Sequence, residues 1–260
     1  MRKGLVVFTG LLLILVALSG FAGANEMTGK EVMLKVDNRD DGDTGKYKLK
    51  MTLINKADDE RIRNLVSYRK DYGEETKTIM FFKSPADVKG TGYLSWEFDD
   101  PAKDDRRWLY MPALRKIRII TGSSDGDYFM GTDFTYDDMG ERSVDEDNHT
   151  LLREEKLKEN KCWVIKSVPK EESEYTKKIV WVRQDICMIV KVEYYNQYGL
   201  LKILKAEDIE ETDSIWTEKK MVMENIQKEH KTILEFSEIE YNLSLDDNIF
   251  RKTTLKRGIR

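Results

Sequence analysis

The feature that most constrains this sequence is an alternation of apolar and polar residues that runs through most of the chain after residue 45. From Tyr47 to Leu53 every second residue is apolar, and the residues between them are lysine or threonine. The same period of two recurs from Leu94 to Phe98 and from Lys116 to Ile119. Side chains of a β-strand point alternately to the two faces of a sheet, so this period predicts half-buried strands.

Further segments with strand character follow one another, separated by short polar turns. They are residues 62–68, 78–82, 162–168, 179–183, 188–194, 200–209, 216–226 and 233–241. Altogether we expect about ten or eleven antiparallel strands, joined in sequence as a meander. A twisted sheet of that width tends to curl. The fold class is therefore mainly β.

Two short helices are predicted outside the strands. The first spans Thr28 to Val36, because Thr28 and Glu31 have the spacing of a capping box. The second begins after Asp246-Asp247-Asn248 and carries Ile249, Phe250 and Leu255. Two short helices are enough to cover only part of one sheet face.

The N-terminus has the three parts of a secretory signal peptide. Arg2 and Lys3 precede an apolar run from Leu5 to Leu18, and the small residues Ala22-Gly23-Ala24 follow. The run is shorter than the roughly 20 residues of a spanning helix, so cleavage near Ala24 is expected rather than an uncleaved anchor. We therefore expect residues 1–24 to be a signal peptide and residues 25–260 to be an exported, periplasmic protein that is soluble after cleavage.

The remaining composition indicates one domain that does not bind nucleic acid. The chain has only four prolines, and no Pro/Gly/Ser-rich linker interrupts residues 25–260. Its formal net charge is −4, with 35% charged residues. A mildly acidic chain without a dominant basic stripe is a poor partner for nucleic acid.

Some strands are apolar on both faces. Trp108 to Met111 and Ile79 to Phe82 show no alternation. A sheet that is apolar on both faces must be covered twice or must line a cavity. Periodicity alone leaves both interpretations open: an ordinary large core into which the helices pack, or an apolar cavity.

Two sequence blocks resemble a known family. One is Arg107–Arg118, RWLYMPALRKIR, and the other is Phe129–Asp138, FMGTDFTYDD. Both are similar to the outer-membrane lipoprotein-sorting (LolA-like) family, in the divergent branch found beside RND-type exporters. Weaker matches at Asp37–Gly42, Asp87–Thr91 and Lys191–Tyr195 extend the resemblance over nearly all of the mature chain.

The resemblance implies a strongly bent antiparallel sheet, an unclosed barrel, with short helices as a lid over an apolar cavity. Such a cavity would take acyl chains of lipoproteins or lipids for transfer across the envelope, without catalysis. An inner-membrane RND-type transporter is an implied partner, and an accessory role beside such an exporter is an alternative function. Flexible methionine and aromatic side chains suit an acyl-chain site, although core packing accounts for them equally well. The candidates are Trp108, Tyr110, Met111, Phe129, Met130, Phe134 and Tyr136.

A basic cluster stands out in this acidic chain and immediately precedes an acidic stretch. Internal pairing with that stretch is one interpretation, and docking to anionic headgroups or to an acidic partner is the other. The cluster consists of Arg106, Arg107, Arg115, Lys116 and Arg118.

One motif keeps an enzyme alternative open. Gly122 to Gly126 matches the G-x-S-x-G nucleophile elbow, with Ser124 as the nucleophile of a lipid hydrolase. The motif requires a strand, a sharp turn and a helix, and the residues after Gly126 do not resemble a helix. A polar loop is the alternative, and we expect no enzyme.

No metal or other cofactor is expected. Asp37–Gly42 resembles the start of a calcium loop, but Arg39 and Lys48 stand where oxygen ligands are required. The two histidines, His149 and His230, and the two cysteines have no zinc-site spacing. The acidic stretch from Asp145 to His149 is interpreted as an exposed loop.

The two cysteines are expected to be free and largely buried, although exported proteins often form disulfides. Cys162 and Cys187 begin strands that are separated by a third strand, 179–183. Strands are spaced by ~4.8 Å, which would place the two residues roughly 9–10 Å apart. Bridged cysteines have Cα atoms within about 7 Å of each other.

Overall fold

The computed structural model describes residues 27–124 and 126–259, so the predicted signal peptide lies outside the described residues. Thirteen strands and two α-helices occur in the described part of the chain, with several short 3-10 turns. In chain order the elements are α1 (Gly29–Asp37), β1 (Thr44–Ile54), β2 (Glu60–Asp71), β3 (Glu75–Ser84), β4 (Gly92–Phe98), β5 (Arg106–Met111), β6 (Lys116–Ile120), β7 (Asp147–Leu157), β8 (Asn160–Pro169), β9 (Lys177–Arg183), β10 (Met188–Asn196), β11 (Gly199–Thr212), β12 (Ile215–Asn225), β13 (His230–Tyr241) and α2 (Lys252–Arg257).

All thirteen strands form one antiparallel sheet in the order β6-β5-β4-β3-β2-β1-β13-β12-β11-β10-β9-β8-β7. Consecutive strands pair, as the meander predicts, except that β1 pairs with β13 and that β6 and β7 are the two edges of the sheet. One apolar cluster contains side chains from every strand except β7. The sheet is therefore strongly bent around this cluster, and it is not closed into a barrel because β6 and β7 do not pair.

The predicted count of ten or eleven strands was too low, and the main omission is β7. Asp147 to His149, interpreted from the sequence as part of an exposed loop, belong to this strand, and Asp147 is buried. The strand escaped detection because residues 153–156 are all charged, which leaves little apolar alternation. An edge strand needs only one neighbour, and charged side chains protect its free edge from pairing with other chains.

Helix α1 confirms the capping-box prediction. The Thr28 side chain accepts a hydrogen bond from the Glu31 backbone, and the Glu31 carboxylate accepts one from the Thr28 backbone at 2.6 Å. The helix packs on β7 at Gly29, where a Cβ would lie 2.7 Å from backbone atoms of Thr150 and Leu151. Only glycine permits this contact. Buried Val32 joins the helix to the apolar cluster.

The C-terminal helix covers the outer, convex face of the sheet. It begins with a 3-10 turn at Asp247–Phe250 and continues as α2. Phe250 and Leu255 are each 1% exposed and pack against outward-facing residues such as Ile79, Phe81 and Trp108. This contact explains why β3 and β5 are apolar on both faces: each face has its own cover.

The inner, concave face is covered differently. Residues 121–146, here called the connecting segment, join the two sheet edges and cross the inner face with 3-10 turns but no longer regular element among its described residues. Its side chains Phe129, Phe134 and Tyr136 are 0–4% exposed and belong to the inner apolar cluster. The segment thereby places its own aromatic rings inside the bend of the sheet.

The cysteine prediction is confirmed in its main point. Cys162 on β8 pairs with Arg183 on β9, which pairs in turn with Met188 on β10. The intervening strand keeps Cys162 and Cys187 apart, and both thiols are free. Cys162 is buried and Cys187 is half-buried.

Candidate functional site

The candidate site is the inner face of the sheet together with the connecting segment that covers it. Side chains that point inward from β1, β2, β3, β10 and β12 are aliphatic or aromatic and almost fully buried. Examples are Leu49, Leu65, Phe82, Val192 and Met223. Period-two strands on a bent sheet direct all of these residues toward one space.

Aromatic rings of the connecting segment fill one half of that space. The ring of Phe129 lies 5.2 Å from that of Tyr93 and 5.7 Å from that of Tyr136, both in edge-to-face geometry. It also lies 6.2 Å from Phe82. Edge-to-face pairs of this kind contribute about 0.5–1.5 kcal/mol beyond their burial. Rings of the segment and of the sheet therefore pack together in one apolar cluster at this point.

A buried ion pair holds the middle of the segment. Lys202 on β11 is 0% exposed, and its ammonium lies 2.5 Å from the Asp138 carboxylate of the segment. It also donates to the Asp133 carbonyl at 3.0 Å. Tyr175 donates to the same Asp138 carboxylate, and burial together with that carboxylate raises the pKa of Tyr175.

A second polar contact lies close to the first. The Asp133 carboxylate, which is 2% exposed, accepts from Thr232 at 2.7 Å and lies 2.6 Å from Nδ1 of His230. Next to it, Asn225 donates to the hydroxyl of Tyr128 at 3.2 Å. The segment therefore meets strands β11 to β13 mainly through buried polar groups.

A third polar contact lies on the opposite half of the sheet. Glu97 on β4 is 4% exposed and accepts from the backbone of Glu141 at 3.3 Å. Burial raises the pKa of Glu97 to about 8, and nearby Arg107 partly opposes that rise. A Cβ at Gly140 would lie 2.5 Å from the Glu97 carboxylate, so any other residue there would have to displace this carboxylate. Arg69 holds the Glu141 carboxylate at 2.7 Å.

The predicted acyl-chain residues fall on two faces. Phe129, Phe134 and Tyr136 lie in the inner cluster, with Met111 and Met130 packed against it. Trp108 and Tyr110 point to the outer face, where Trp108 packs beneath the C-terminal helix. The two aromatics of β5 are thus separated from the other five by the thickness of the sheet.

The basic cluster is likewise divided. Arg107 is buried on the inner side, with its guanidinium 2.7 Å from Asp105. Arg118 is 3.2 Å from Asp127 of the connecting segment, which is the internal pairing that the sequence left open. Arg106, Arg115 and Lys116 are exposed around the β5–β6 hairpin.

The structure does not assemble a nucleophile and base at Ser124. Ser124 lies in a 3-10 turn, and its hydroxyl accepts from Arg118 at 3.4 Å. His149 lies 2.8 Å from Ser167, and His230 contacts Asp133. Within the described residues no cluster of three or more His, Cys, Asp or Glu side chains has the arrangement of a metal site.

Two surface depressions lie away from the inner apolar cluster. One, of about 540 Å³, lies on the outer side and is lined by charged and aromatic residues including Lys77, Trp96 and Arg106. The other lies at the strand ends near Lys70 and Asn242. The inner face is packed by the protein's own side chains instead.

Sequence reasoning missed the charged groups of the inner face. Lys202 and Glu97 occur in strands that were predicted correctly, but a charge at an inward position was not sought. Asp133 and Asp138 lie inside the second sequence block, where only the aromatic residues and Met130 were singled out. One signal could have found Lys202. It occupies an inward-pointing position of β11, paired with Asn225, while the next pair on the same face of these strands, Leu204 and Met223, is apolar.

Comparison with known proteins gives the family. A family model for uncharacterized proteins matches residues 74–257, and a DUF1329 family protein from Desulfovibrio piger is 29% identical with a TM-score of 0.83. The chain belongs to the DUF1329 family. That Desulfovibrio structure covers 87% of this chain, and this chain covers 97% of it. No curated protein matches this DUF1329 sequence.

Two further solved structures define the fold of this DUF1329 chain as LolA-like. A domain from Vibrio parahaemolyticus, described as an outer membrane lipoprotein-sorting protein, is 29% identical with a TM-score of 0.83, over 88% of this chain and 98% of that one. A LolA superfamily protein from Nitrosomonas europaea is 20% identical with a TM-score of 0.69, over 87% and 99%. No helix among residues 27–124 and 126–259 is both long and apolar enough to cross a membrane.

Proposed function

We infer that this chain is a non-enzymatic carrier that binds the acyl chains of lipids or lipoproteins on the inner face of its sheet. Its place of action is the periplasm, in keeping with the predicted signal peptide. The LolA-like fold and the likeness to a lipoprotein-sorting domain support a carrier role. Delivery across the envelope needs a shielded apolar surface and no chemical step.

The observation that carries this proposal is the way in which the inner face is covered. Its cover is a segment outside the sheet, whose rings of Phe129, Phe134 and Tyr136 occupy the space that an acyl chain would take. A buried chain contributes about 0.8 kcal/mol for each CH₂. A long acyl chain therefore compensates for the loss of three aromatic contacts when the segment moves away from the sheet.

The docking residues belong to the same proposal. Arg106, Arg115 and Lys116 are exposed around a hairpin whose tip carries Leu114, which is 60% exposed. Arg115 and Lys116 follow this leucine, and Arg106 lies at the other end of β5. Basic residues on an exposed hairpin suit an anionic membrane surface, where each one contributes about 1 kcal/mol. An inner-membrane RND-type transporter is the partner that would place the hairpin at that surface.

Native mass spectrometry of the protein purified from an envelope extract tests cargo binding. We expect adducts with masses of lipids or acylated peptides that disappear after organic extraction. Crosslinking to a membrane transporter without any bound lipid would contradict the carrier role and support the accessory role instead.

A reversible crosslink tests whether the segment must move. The side-chain oxygens of Asp133 and Thr232 lie 2.7 Å apart, across the boundary between the segment and β13. We expect Asp133→Cys with Thr232→Cys, in a background with Cys162→Ala and Cys187→Ala, to lose lipid uptake when oxidised and to regain it after reduction. Each single-cysteine variant is the control, and uptake by the oxidised double variant would show that the segment need not move.

The geometry gives no support to lipid hydrolysis by Ser124, because its hydroxyl contacts Arg118 and not a histidine that could act as base. Ser124→Ala is accordingly expected to carry lipid as the unmodified protein does.

A further inference from the structure

A polar row crosses the part of the inner face that β10 to β13 form, next to apolar side chains such as Val192 and Met223. Tyr194 on β10 pairs with Lys202 on β11, which pairs with Asn225 on β12, which pairs with His230 on β13. The four side chains therefore lie side by side across four neighbouring strands. Asn225 and Lys202 are both 0% exposed.

Lys202 is the centre of this row, and its surroundings resemble a binding site for an anion. Three tyrosine rings surround its ammonium, with centroids at 5.1 Å for Tyr175, 5.2 Å for Tyr194 and 5.6 Å for Tyr128. Its anionic partner is Asp138. Aromatic faces attract a cation, and a buried ammonium needs an anion such as a carboxylate or a phosphate as its partner.

Both hydrogen-bond acceptors of Lys202 described above belong to the connecting segment. They are the carboxylate of Asp138 and the carbonyl of Asp133. The sheet side supplies two donors to the Asp138 carboxylate, the ammonium of Lys202 and the hydroxyl of Tyr175 at 2.9 Å. The carboxylate of Asp138 therefore fills a site whose two donors suit an anion.

Displacement of the segment removes that carboxylate and leaves the buried Lys202 ammonium without the anion that lies 2.5 Å from it. An unpaired buried charge is strongly unfavourable, so a neutral ligand would have to bear this cost. A ligand with its own anionic group would remove the cost by taking the position of Asp138. Charge-assisted hydrogen bonds from an ammonium and a phenol suit phosphate or carboxylate oxygens.

We propose that Lys202 and Tyr175 bind the phosphate or carboxylate group of an anionic amphiphile, in exchange for Asp138, while its acyl chain lies along the apolar inner face. This deepens the proposed carrier function and depends on it. The ligand class is thereby narrowed from any acyl chain to acyl chains with an attached anion.

Three probes separate the anion from the chain. They are 1-lauroyl-glycerol 3-phosphate, its neutral counterpart 1-lauroyl-glycerol, and glycerol 3-phosphate without a chain. By isothermal titration calorimetry, we expect the unmodified protein to bind the phosphorylated lipid at least tenfold more tightly than the neutral lipid. Glycerol 3-phosphate is expected to bind at least a hundredfold more weakly than the phosphorylated lipid.

Two variants assign the preference to this site. Lys202→Met with Asp138→Leu removes both charges together, and we expect it to bind both lipids with the affinity of the neutral one. Asp138→Asn removes only the internal competitor, and we expect at least tenfold tighter binding of the phosphorylated lipid and a larger rise in Tm on its addition. Lys205→Met, an exposed position on the same strand, is the matched control and should keep the preference unchanged.

The outcomes distinguish this inference from the carrier proposal. Equal binding of both lipids by the unmodified protein overturns the anion site and leaves the carrier function standing. Binding of neither lipid overturns both proposals. Glycerol 3-phosphate binding as tightly as the phosphorylated lipid would mean a site for a free anion rather than for a lipid. If the double variant does not fold, Asp138→Asn still tests the proposal. Unchanged affinity of this variant for the phosphorylated lipid would mean that the lipid anion does not replace the Asp138 carboxylate.

Discussion

The two faces of the sheet are covered in opposite ways. On the outer face, the C-terminal helix packs through Phe250 and Leu255 onto an apolar cluster, and its ion pair, Asp247 with Lys70, is partly exposed. On the inner face, the connecting segment adds the buried carboxylates of Asp133 and Asp138 to its aromatic contacts. Detaching an apolar cover costs free energy in proportion to the apolar surface that becomes exposed to water. A cover held by buried charges can leave when both sides of each pair regain water or a new partner.

The largest effect is expected when one half of the inner ion pair is removed. Asp138→Ala leaves Lys202 buried without its carboxylate, which typically costs about 3–5 kcal/mol of the free energy of unfolding. Urea denaturation followed by circular dichroism measures this loss. Replacing both residues, Lys202→Met with Asp138→Leu, should restore most of the stability, since well-packed apolar pairs can substitute for buried ion pairs. A similar loss in the double variant would show that shape rather than charge holds the segment.

A somewhat smaller effect is expected on the outer face. Leu255→Ala leaves a cavity beneath α2 and should cost about 3 kcal/mol of the free energy of unfolding. Because the proposed cargo site lies on the inner face, the variant should bind lipid with unchanged affinity. Parallel denaturation and lipid titration test this, and weaker lipid binding would mean that the two covers are coupled.

The third effect depends on pH and concerns Glu97. Burial raises its pKa from 4.5 to about 8, opposed in part by Arg107 and assisted by the negative charges of Glu141 and Asp105. Between these two values the unfolded chain has released this proton while the folded protein retains it. The free energy of unfolding therefore falls as pH rises, by up to about 1.4 kcal/mol for each pH unit.

Glu97→Gln isolates that contribution. Unfolding by urea at pH 6 and at pH 7 should show a smaller loss of stability in the variant than in the unmodified protein. Other groups titrate in both proteins and cancel in the comparison. Identical slopes would mean that Glu97 is already ionised at pH 6.

The smallest effect on stability is expected at the exposed basic hairpin. Arg106→Gln with Lys116→Gln should change the free energy of unfolding by less than about 0.5 kcal/mol, because surface substitutions rarely do more. Binding to vesicles that contain phosphatidylglycerol should weaken by about 1 kcal/mol for each charge. Lys156→Gln with Lys161→Gln, both exposed on the β7–β8 hairpin, removes the same charge elsewhere. Equal weakening by both pairs would indicate a general charge effect.

The sequence predicted those parts of the fold that depend on local patterns. The alternation from Tyr47 to Leu53 became β1, and the spacing of Thr28 and Glu31 became the N-terminus of α1. The sequence did not reveal the pairing of β1 with β13, because no local signal determines which strands join at long range. It also gave no sign of β7, whose stability comes from its ladder with β8 rather than from buried apolar residues.

The candidate site was harder to predict, because its residues meet only in three dimensions. Phe129, Phe134 and Tyr136 were selected as a group, and they do lie together in the inner cluster. Trp108 and Tyr110 were placed with them, although side chains alternate along β5 and these two point to the outer face. Lys202 was overlooked because its buried partner, Asp138, is 64 residues away in the sequence. No local pattern indicates that a lysine at this position is buried.

The pairing of β1 with β13 also determines when the sheet can be completed during folding. Gly45 faces Tyr241, so the seam joins residues from opposite ends of the described chain. The hairpins on either side of the seam form from neighbouring sequence, whereas the seam must await the synthesis of β13. Contacts of such long sequence separation form slowly. Until β13 arrives, β1 and β12 each present an unpaired edge that the finished protein covers, and such edges are prone to aggregation.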